Sequence, residues 1–240
     1  MAERTQEIRN HPTQDERKAA AAELWGNSTV RKQIRTPARE VLSRMAPGID
    51  GCMYCGNHKS TDVEHFEPKS RNPLRAFCWH NYLLVCSECN SAYKGSKYPL
   101  DRLYQPLLID PTVDDPFDHL RLVLPHCDYA WLTIKGKHTR DVLRLNDRRL
   151  PEARRAALRD MGTLLRGWTM AYEQCDEEWK EGIVLGIREH PFADVCQALL
   201  RQAEDVDAEI YFREFAFLLP FLRDPDLRAA LRLPRTDRSG

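Results

Sequence analysis

What this 240-residue chain lacks narrows its class before any motif is read. Its longest apolar run, near Phe215 to Leu222, falls well short of the roughly 18 to 20 residues that a membrane span needs. The opening MAERTQEIRN has no apolar signal core, no low-complexity tract follows it, and glycine numbers only 11. Neither charge sign is in excess, with 36 basic residues against 36 acidic. These absences exclude collagen-like and disordered classes, and they predict a cytoplasmic globular protein with no membrane partner. Nothing global marks a polyanion partner either, although net charge is silent about local patches.

Cysteine, by contrast, is plentiful: there are eight. In a reducing compartment that count favours metal ligation or free thiols over a disulfide framework, and spacing decides which. Cys52 and Cys55 form one C-x-x-C pair, and Cys86 and Cys89 form a second. Two such knuckles close a tetrahedral zinc shell with no open position, which predicts a structural Zn²⁺ rather than a catalytic one. An iron-sulfur cluster and a redox dithiol are weaker readings of the same spacing, because redox dithiols do not come in matched pairs. Cys78, Cys127, Cys175 and Cys196 have no partner in sequence and read as buried free thiols.

Helical periodicity frames the cysteine region on both sides. Residues 14–25 and 28–46 read as helices, the second broken or kinked near Pro37, with Arg31, Lys32, Arg35, Arg39 and Arg44 against a lone Glu40. That basic stripe is either a phosphate-facing surface or a solvated helix face. Arg121–Leu124 and Tyr129–Ile134 fit a hairpin. After Asn146 the pattern is helical to the end. Ala157, Met161, Leu164, Leu165, Trp168 and Tyr172 make one apolar stripe, behind the cluster Arg148, Arg149, Arg154, Arg155 and Arg159 and ahead of an acidic run. Phe192–Leu200 and Ile210–Leu222 read as two more helices, the last apolar on most faces and so buried in the core or against a partner.

A zinc ribbon used only for binding needs nothing particular between its knuckles. Here the interval holds Asp62-Val63-Glu64-His65-Phe66-Glu67-Pro68-Lys69 and Trp79-His80-Asn81, and Asn90 and Lys94 follow the second knuckle. Phosphodiester hydrolysis needs a base to take a proton from water, a cation to neutralise developing charge and a scaffold that fixes both. His65, neutral near pH 7, suits the base. Lys94 lies one helical turn from Asn90 and suits a phosphate contact, as does Lys69.

The ordered set Glu64-His65, Asn81, Asn90 inside four framing cysteines resembles the zinc-containing branch of the HNH endonuclease family. That resemblance implies a ββα-metal fold. It implies that Glu64 and Asn90 hold a catalytic Mg²⁺ or Mn²⁺, that Asn81 hydrogen-bonds the loop backbone to orient the base, and that the strand bends or ends at Glu64-His65 so the two side chains converge. Glu64 stands where the commoner pattern has Asp and Asn90 where it has a final His, which leaves the preferred metal open. Asp62 and Glu67 flank the pair as supporting or solvated groups. His58 and His80 are placed near the site, and the other histidines read as structural.

Further phrases, Glu64-His65-Phe66-Glu67-Pro68-Lys69-Ser70, Leu107-Leu108-Ile109-Asp110-Pro111 and Leu143-Arg144-Leu145-Asn146, are similar to the HNH subunits of prokaryotic antiphage systems that pair a nuclease with an ATPase, the Septu type above all. The implied protein is mainly α with a small α+β insert. N-terminal helices (residues 1–48) precede a zinc-stapled nuclease core (49–110), and a helical region (111–240) docks on an ATPase partner. The implied substrate is nucleic acid, with DNA favoured over RNA, and the neutral charge suggests weak activity without the partner. The competing reading is a non-catalytic zinc-ribbon module that binds nucleic acid or protein.

Overall fold

The computed structural model describes residues 1–58 and 60–232. Two N-terminal helices, α1 (Ala2–Arg9) and α2 (Gln14–Gly26), lead the chain. The second starts where Thr13 and Glu16 satisfy each other's backbone N–H groups in a capping box. The break expected near Pro37 takes the form of a π-helical turn, Arg31–Arg35, between α3 (Ser28–Val30) and α4 (Thr36–Met45). Proline has no N–H to close the α-type hydrogen bond back to residue 33, and the wider turn absorbs that loss.

Strands β1 (Asp62–His65) and β2 (Tyr82–Val85) pair antiparallel, with Asp62 opposite Val85 and His65 opposite Tyr82. A π-helical segment, Glu88–Lys94, follows at once and ends at Gly95, whose φ of +49° is a conformation that favours glycine. The period of two divides this small sheet into two chemistries. Val63, His65, Tyr82 and Leu84 face the N-terminal helices, where Val63, Tyr82 and Leu84 join Trp25, Val30, Ala38, Leu42 and Phe77 in one core. Leu83 and Val85, on the face shared with Asp62 and Glu64, join the cysteines and the C-terminal half in a second core. Neither core stops at residue 48 or 110, so the hairpin is the layer common to both.

The expected second hairpin is present as β3 (Leu120–Val123) and β4 (Asp128–Trp131). Helices α5 (Ile134–Val142), α6 (Arg149–Glu173), α7 (Glu177–Glu189) and α8 (Ala193–Gln202) then build the C-terminal layer. In α6 the apolar stripe buries Ala157, Met161, Leu165 and Trp168, while Leu164 is half-buried and Tyr172 is exposed. Arg154, counted with the arginine cluster on the first turns, is fully buried one turn before Ala157 and Leu158. Its guanidinium lies 4.3 Å from the Tyr129 ring centre and donates to the Cys127 carbonyl.

The single helix expected over Ile210–Leu222 is corrected to three short pieces: α9 (Ala208–Phe212), a 3₁₀ stretch (Arg213–Leu218) and α10 (Leu219–Leu222). Pro220, in the first turn of α10, has no N–H for an α-type bond to residue 216, and Phe215 leaves helical geometry. The segment is not uniformly buried either, since Ile210 and Phe217 are exposed. Helix α11 (Pro225–Arg232) closes the described chain, and no helix of the described residues is long and apolar enough to cross a membrane.

Trp25 is the side chain that joins the N-terminal helices to the sheet, with ring centres 4.4 Å from His65, 5.7 Å from Phe77 and 5.4 Å from Tyr82. Trp25→Ala is expected to cost about 3–5 kcal/mol in denaturant unfolding, the range for deleting a buried large aromatic. A loss under about 1 kcal/mol would show that α2 does not depend on this seam.

Candidate functional site

The four cysteines come together as the spacing predicts. Their sulfurs lie within 4.8 Å of one another, and all four residues are buried. Tetrahedral zinc with bonds of about 2.3 Å sets its sulfurs about 3.8 Å apart. The Cys55 Sγ to Cys86 Sγ separation is 3.8 Å, so the cluster fits a closed, structural Zn²⁺ shell. Backbone geometry builds the shell: Gly56, at φ +78°, turns the chain directly after Cys55, and a Cβ there would meet the Asp194 carboxylate. The Cys86 carbonyl accepts from Asn90 N–H, which ties the second knuckle to the helical turn that follows it. The remaining thiols divide. Cys127 and Cys196 are buried and Cys78 is half-buried, but Cys175 is exposed just past the end of α6 and does not match the buried thiol expected there.

Asn81 is completely buried between the 3₁₀ turn Trp79–Asn81 and β2. Its Oδ1 accepts from Glu67 N–H at 2.8 Å, and its Nδ2 donates to the carbonyls of Glu67 at 3.0 Å and Arg75 at 3.1 Å. One carboxamide thus ties down both ends of the loop that leaves β1. Glu67 reinforces the loop, accepting from Asn72 and Arg75 and lying 3.9 Å from the Arg71 guanidinium.

His65, only 4% exposed, sits against Trp25 and Tyr82 with its Nε2 2.9 Å from the Ala76 carbonyl. A carbonyl only accepts, so Nε2 carries the proton and Nδ1 keeps the lone pair. Burial, chiefly, pushes the imidazole pKa down to about 4, and the cations Lys69, Lys94 and Arg35 push the same way against the Ala76 bond. Arg35 is part of the expected basic stripe, and its guanidinium lies over Trp25 at 5.2 Å.

Glu64 and Asn90, expected on one divalent ion, each hydrogen-bond a different side chain. Glu64 is 7% exposed, and its Oε1 accepts from Lys94 Nζ at 2.6 Å. Asn90 donates from Nδ2 to Asp62 Oδ2 at 2.9 Å. The two pairings share one geometry. Asp62 and Glu64, two residues apart on β1, are about 6.7 Å apart along the strand. Asn90 and Lys94, four residues apart on the turn that follows β2, each reach one of these carboxylates. In this conformation the donor set does not fit a divalent cation, because an ammonium already stands against Glu64.

Lys94 also donates to the His65 carbonyl at 2.9 Å and is 0% exposed, so the phosphate contact expected of it is corrected to an internal ion pair. Burial pushes the Glu64 carboxyl up and the Lys94 ammonium down, each towards its neutral form, and their attraction opposes both shifts. Lys69 is the half-buried cation that lies near Glu64 and His65. Strand β1 does end at His65, yet the side chains of Glu64 and His65 still diverge to opposite faces, so the expected convergence is absent. Asp62, read only as a flanking acid, is the residue Asn90 touches; strict alternation along β1 is the signal that would have placed it beside Glu64.

Comparison with known proteins adds one relative. Over 100 residues the chain is 38% identical to a Septu protein PtuB of Bacillus thuringiensis, a stretch that covers 40% of this chain and 36% of that protein. No family model and no solved structure matches the chain.

Two outcomes follow from this geometry. Cys86→Ser is expected to abolish stoichiometric zinc and cooperative folding together, read by metal analysis and a thermal melt, since a structural zinc site contributes its binding energy to folding; a folded, zinc-free variant would contradict the staple. His65 makes the fold acid-sensitive. Between its ordinary 6.5 and the folded value of about 4, the unfolded chain holds a proton that the folded chain does not, so stability falls as pH drops through that window. Relative to His65→Gln, which keeps a donor for Ala76, the wild type should lose about 3 kcal/mol more between pH 7 and pH 4 at matched zinc content. Parallel stability profiles for the two proteins would refute the assignment.

Proposed function

We propose that this chain is an HNH-type nuclease that hydrolyses phosphodiester bonds of nucleic acid, DNA before RNA, as the effector of a prokaryotic antiphage system with an ATPase partner. The observation that carries the reading is the Asn81 clamp. A fully buried carboxamide spends three hydrogen bonds on the backbone of the loop that follows Glu64-His65, inside a strand-strand-helix unit stapled by four cysteines. A binding ribbon has no need of such a clamp, whereas a centre that must hold a base in place does. The likeness over 100 residues to a Septu protein supports the defence role and the partner.

His65 Nδ1 is the atom with a lone pair for a water proton, and the Nε2 bond to Ala76 fixes the tautomer and the ring plane. The attack of that water on phosphorus breaks the bond to the leaving sugar oxygen. Lys69, half-buried near His65, is the cation to which this reading assigns a phosphate oxygen. Glu64 and Asn90 are the residues that would hold a divalent ion once Lys94 has left Glu64, and such an ion would neutralise charge developing on the phosphate. In the present conformation the base is weak, because burial and three cations hold its pKa far below neutrality, where a general base works best. Low activity of the isolated chain follows, and a phosphate anion beside Lys69 would raise that pKa.

Plasmid DNA and total RNA are the substrates to test, with Mg²⁺ or Mn²⁺, with and without an ATPase of the kind proposed as partner. Wild type plus partner should cut at least one of them, and His65→Ala, compared as folded and zinc-loaded protein below its melting transition, should lose at least 100-fold of that rate, in line with the usual contribution of a general base. Cutting by a folded His65→Ala protein at the wild-type rate would overturn the assignment. Nucleic-acid binding without cutting, equal in both proteins, would favour the binding-module reading.

A further inference from the structure

We propose that the Lys94 ammonium is the resting occupant of the cation position at Glu64, and that a divalent ion reaches this carboxylate only after Lys94 has left it. The proposal rests on the reading above only in calling the position a divalent centre. Its basis is the oxygen environment of Nζ. Within the buried space between β1 and the Glu88–Lys94 turn, Nζ is 2.6 Å from Glu64 Oε1 and 2.9 Å from the His65 carbonyl oxygen. A carboxylate and a carbonyl oxygen are the ligand types that a hard divalent cation prefers. Lys94 is completely buried and spends its charge there, where a surface lysine would keep its head in water.

The neighbouring groups agree. Asp62 and Asn90, one turn away on the same face, are half-buried and hydrogen-bond each other, so the polar strip runs from the buried pair towards solvent. With Lys94 in place Glu64 is neutralised, and Asp62 and Asn90 alone offer one carboxylate, too little charge for tight divalent binding. With Lys94 withdrawn, two carboxylates and a carboxamide line one face. The chain has the means to withdraw it: Lys94 is the last residue of its helical turn, and Gly95 follows in a conformation that favours glycine, where an added Cβ would meet nothing nearer than Ser91 O at 3.9 Å. Rearrangement of that last turn, at the cost of the Gly95 N–H bond to the Asn90 carbonyl, would move the ammonium while leaving the cysteine cluster in place.

Mn²⁺ alone is the probe, titrated by the electron paramagnetic resonance signal of the free ion into full-length wild type, Lys94→Met and the double variant Lys94→Met with Glu64→Gln, all at matched zinc content and with melting curves recorded. The expected result is one Mn²⁺ bound at least tenfold more tightly by Lys94→Met than by wild type, with the gain lost in the double variant. Equal affinities for wild type and a folded Lys94→Met protein, or a gain that survives Glu64→Gln, would overturn the proposal. A second measurement uses wild type only and holds whether or not the variant folds. Reductive methylation of Lys94, read by mass spectrometry, should be at least tenfold faster in saturating Mn²⁺, and unchanged protection counts against the proposal. None of these readouts uses cleavage, so a protein that takes Mn²⁺ at Glu64 and cuts nothing defeats the nuclease reading and leaves this one standing.

Discussion

A two-stranded sheet with four residues per strand cannot hold itself together in water, and every candidate residue of this protein depends on one. What holds it is a clamp at its ends. Cys52 and Cys55 precede β1, Cys86 and Cys89 follow β2, and the four sulfurs converge to the spacing of a tetrahedral metal shell. A cross-link of this kind fixes the register, and with it which side chain goes to which face. A slip by one residue would exchange Glu64 with His65, and the chemistry would be lost without the loss of any ligand.

The fixed register has an electrostatic consequence. His65 is placed among aromatic rings, where burial favours the uncharged imidazole, and Glu64 is placed on the opposite face with a buried ammonium. Acid and base are therefore neighbours in sequence and separated by the thickness of a strand. Each is held in a state unlike the one the proposed hydrolysis would need: an imidazole whose pKa is pushed down to about 4, and a carboxylate already neutralised. The loop beyond them is, by contrast, rigidly specified by Asn81 and Glu67. The scaffold is set and the reacting groups are not.

Much of this was legible in the sequence, where the signal is local. Two C-x-x-C pairs announce a chelate because each closes a short loop onto one ion, and the gathering of all four cysteines needed no knowledge of the rest of the chain. The hairpin at Leu120–Trp131 and the helix Arg149–Glu173 followed from alternation and period. Some misses were available to the same rules: Arg154 falls on the apolar spacing of Leu150, Leu158 and Leu165, and Pro220 marks the break in the last apolar segment. Others were beyond local reading. That Trp25 covers His65, or that Lys94 turns inward to Glu64, is settled by packing between segments dozens of residues apart, for which one sequence carries no periodic signature. The departure of Lys94 from a surface role is of this kind, since a lysine beside a helix end is an exposed residue by default.

The closed arrangement bears on why such a chain would work with a partner. Stripping one member from a buried ion pair costs about 3–5 kcal/mol, because the other is left as an uncompensated charge. An opening that costs even about 3 kcal/mol leaves roughly one molecule in 150 open, since each 1.4 kcal/mol is tenfold. Only something that binds the open form better can reverse that ratio, and its differential affinity must exceed the opening cost. In the proposed opening, a divalent ion would supply part of it by replacing one cation at Glu64 with another of higher charge. A polyanion bound near Lys69, as proposed, would supply another part by drawing the neighbouring cations and raising the basicity of His65. A surface that grips the C-terminal layer can supply the rest, because that layer and the Glu64 face of the hairpin share one core from Leu83 and Val85 to the helices. For the proposed nuclease, latency and dependence on a partner would share one physical origin, a charge pair buried in the common layer of two cores.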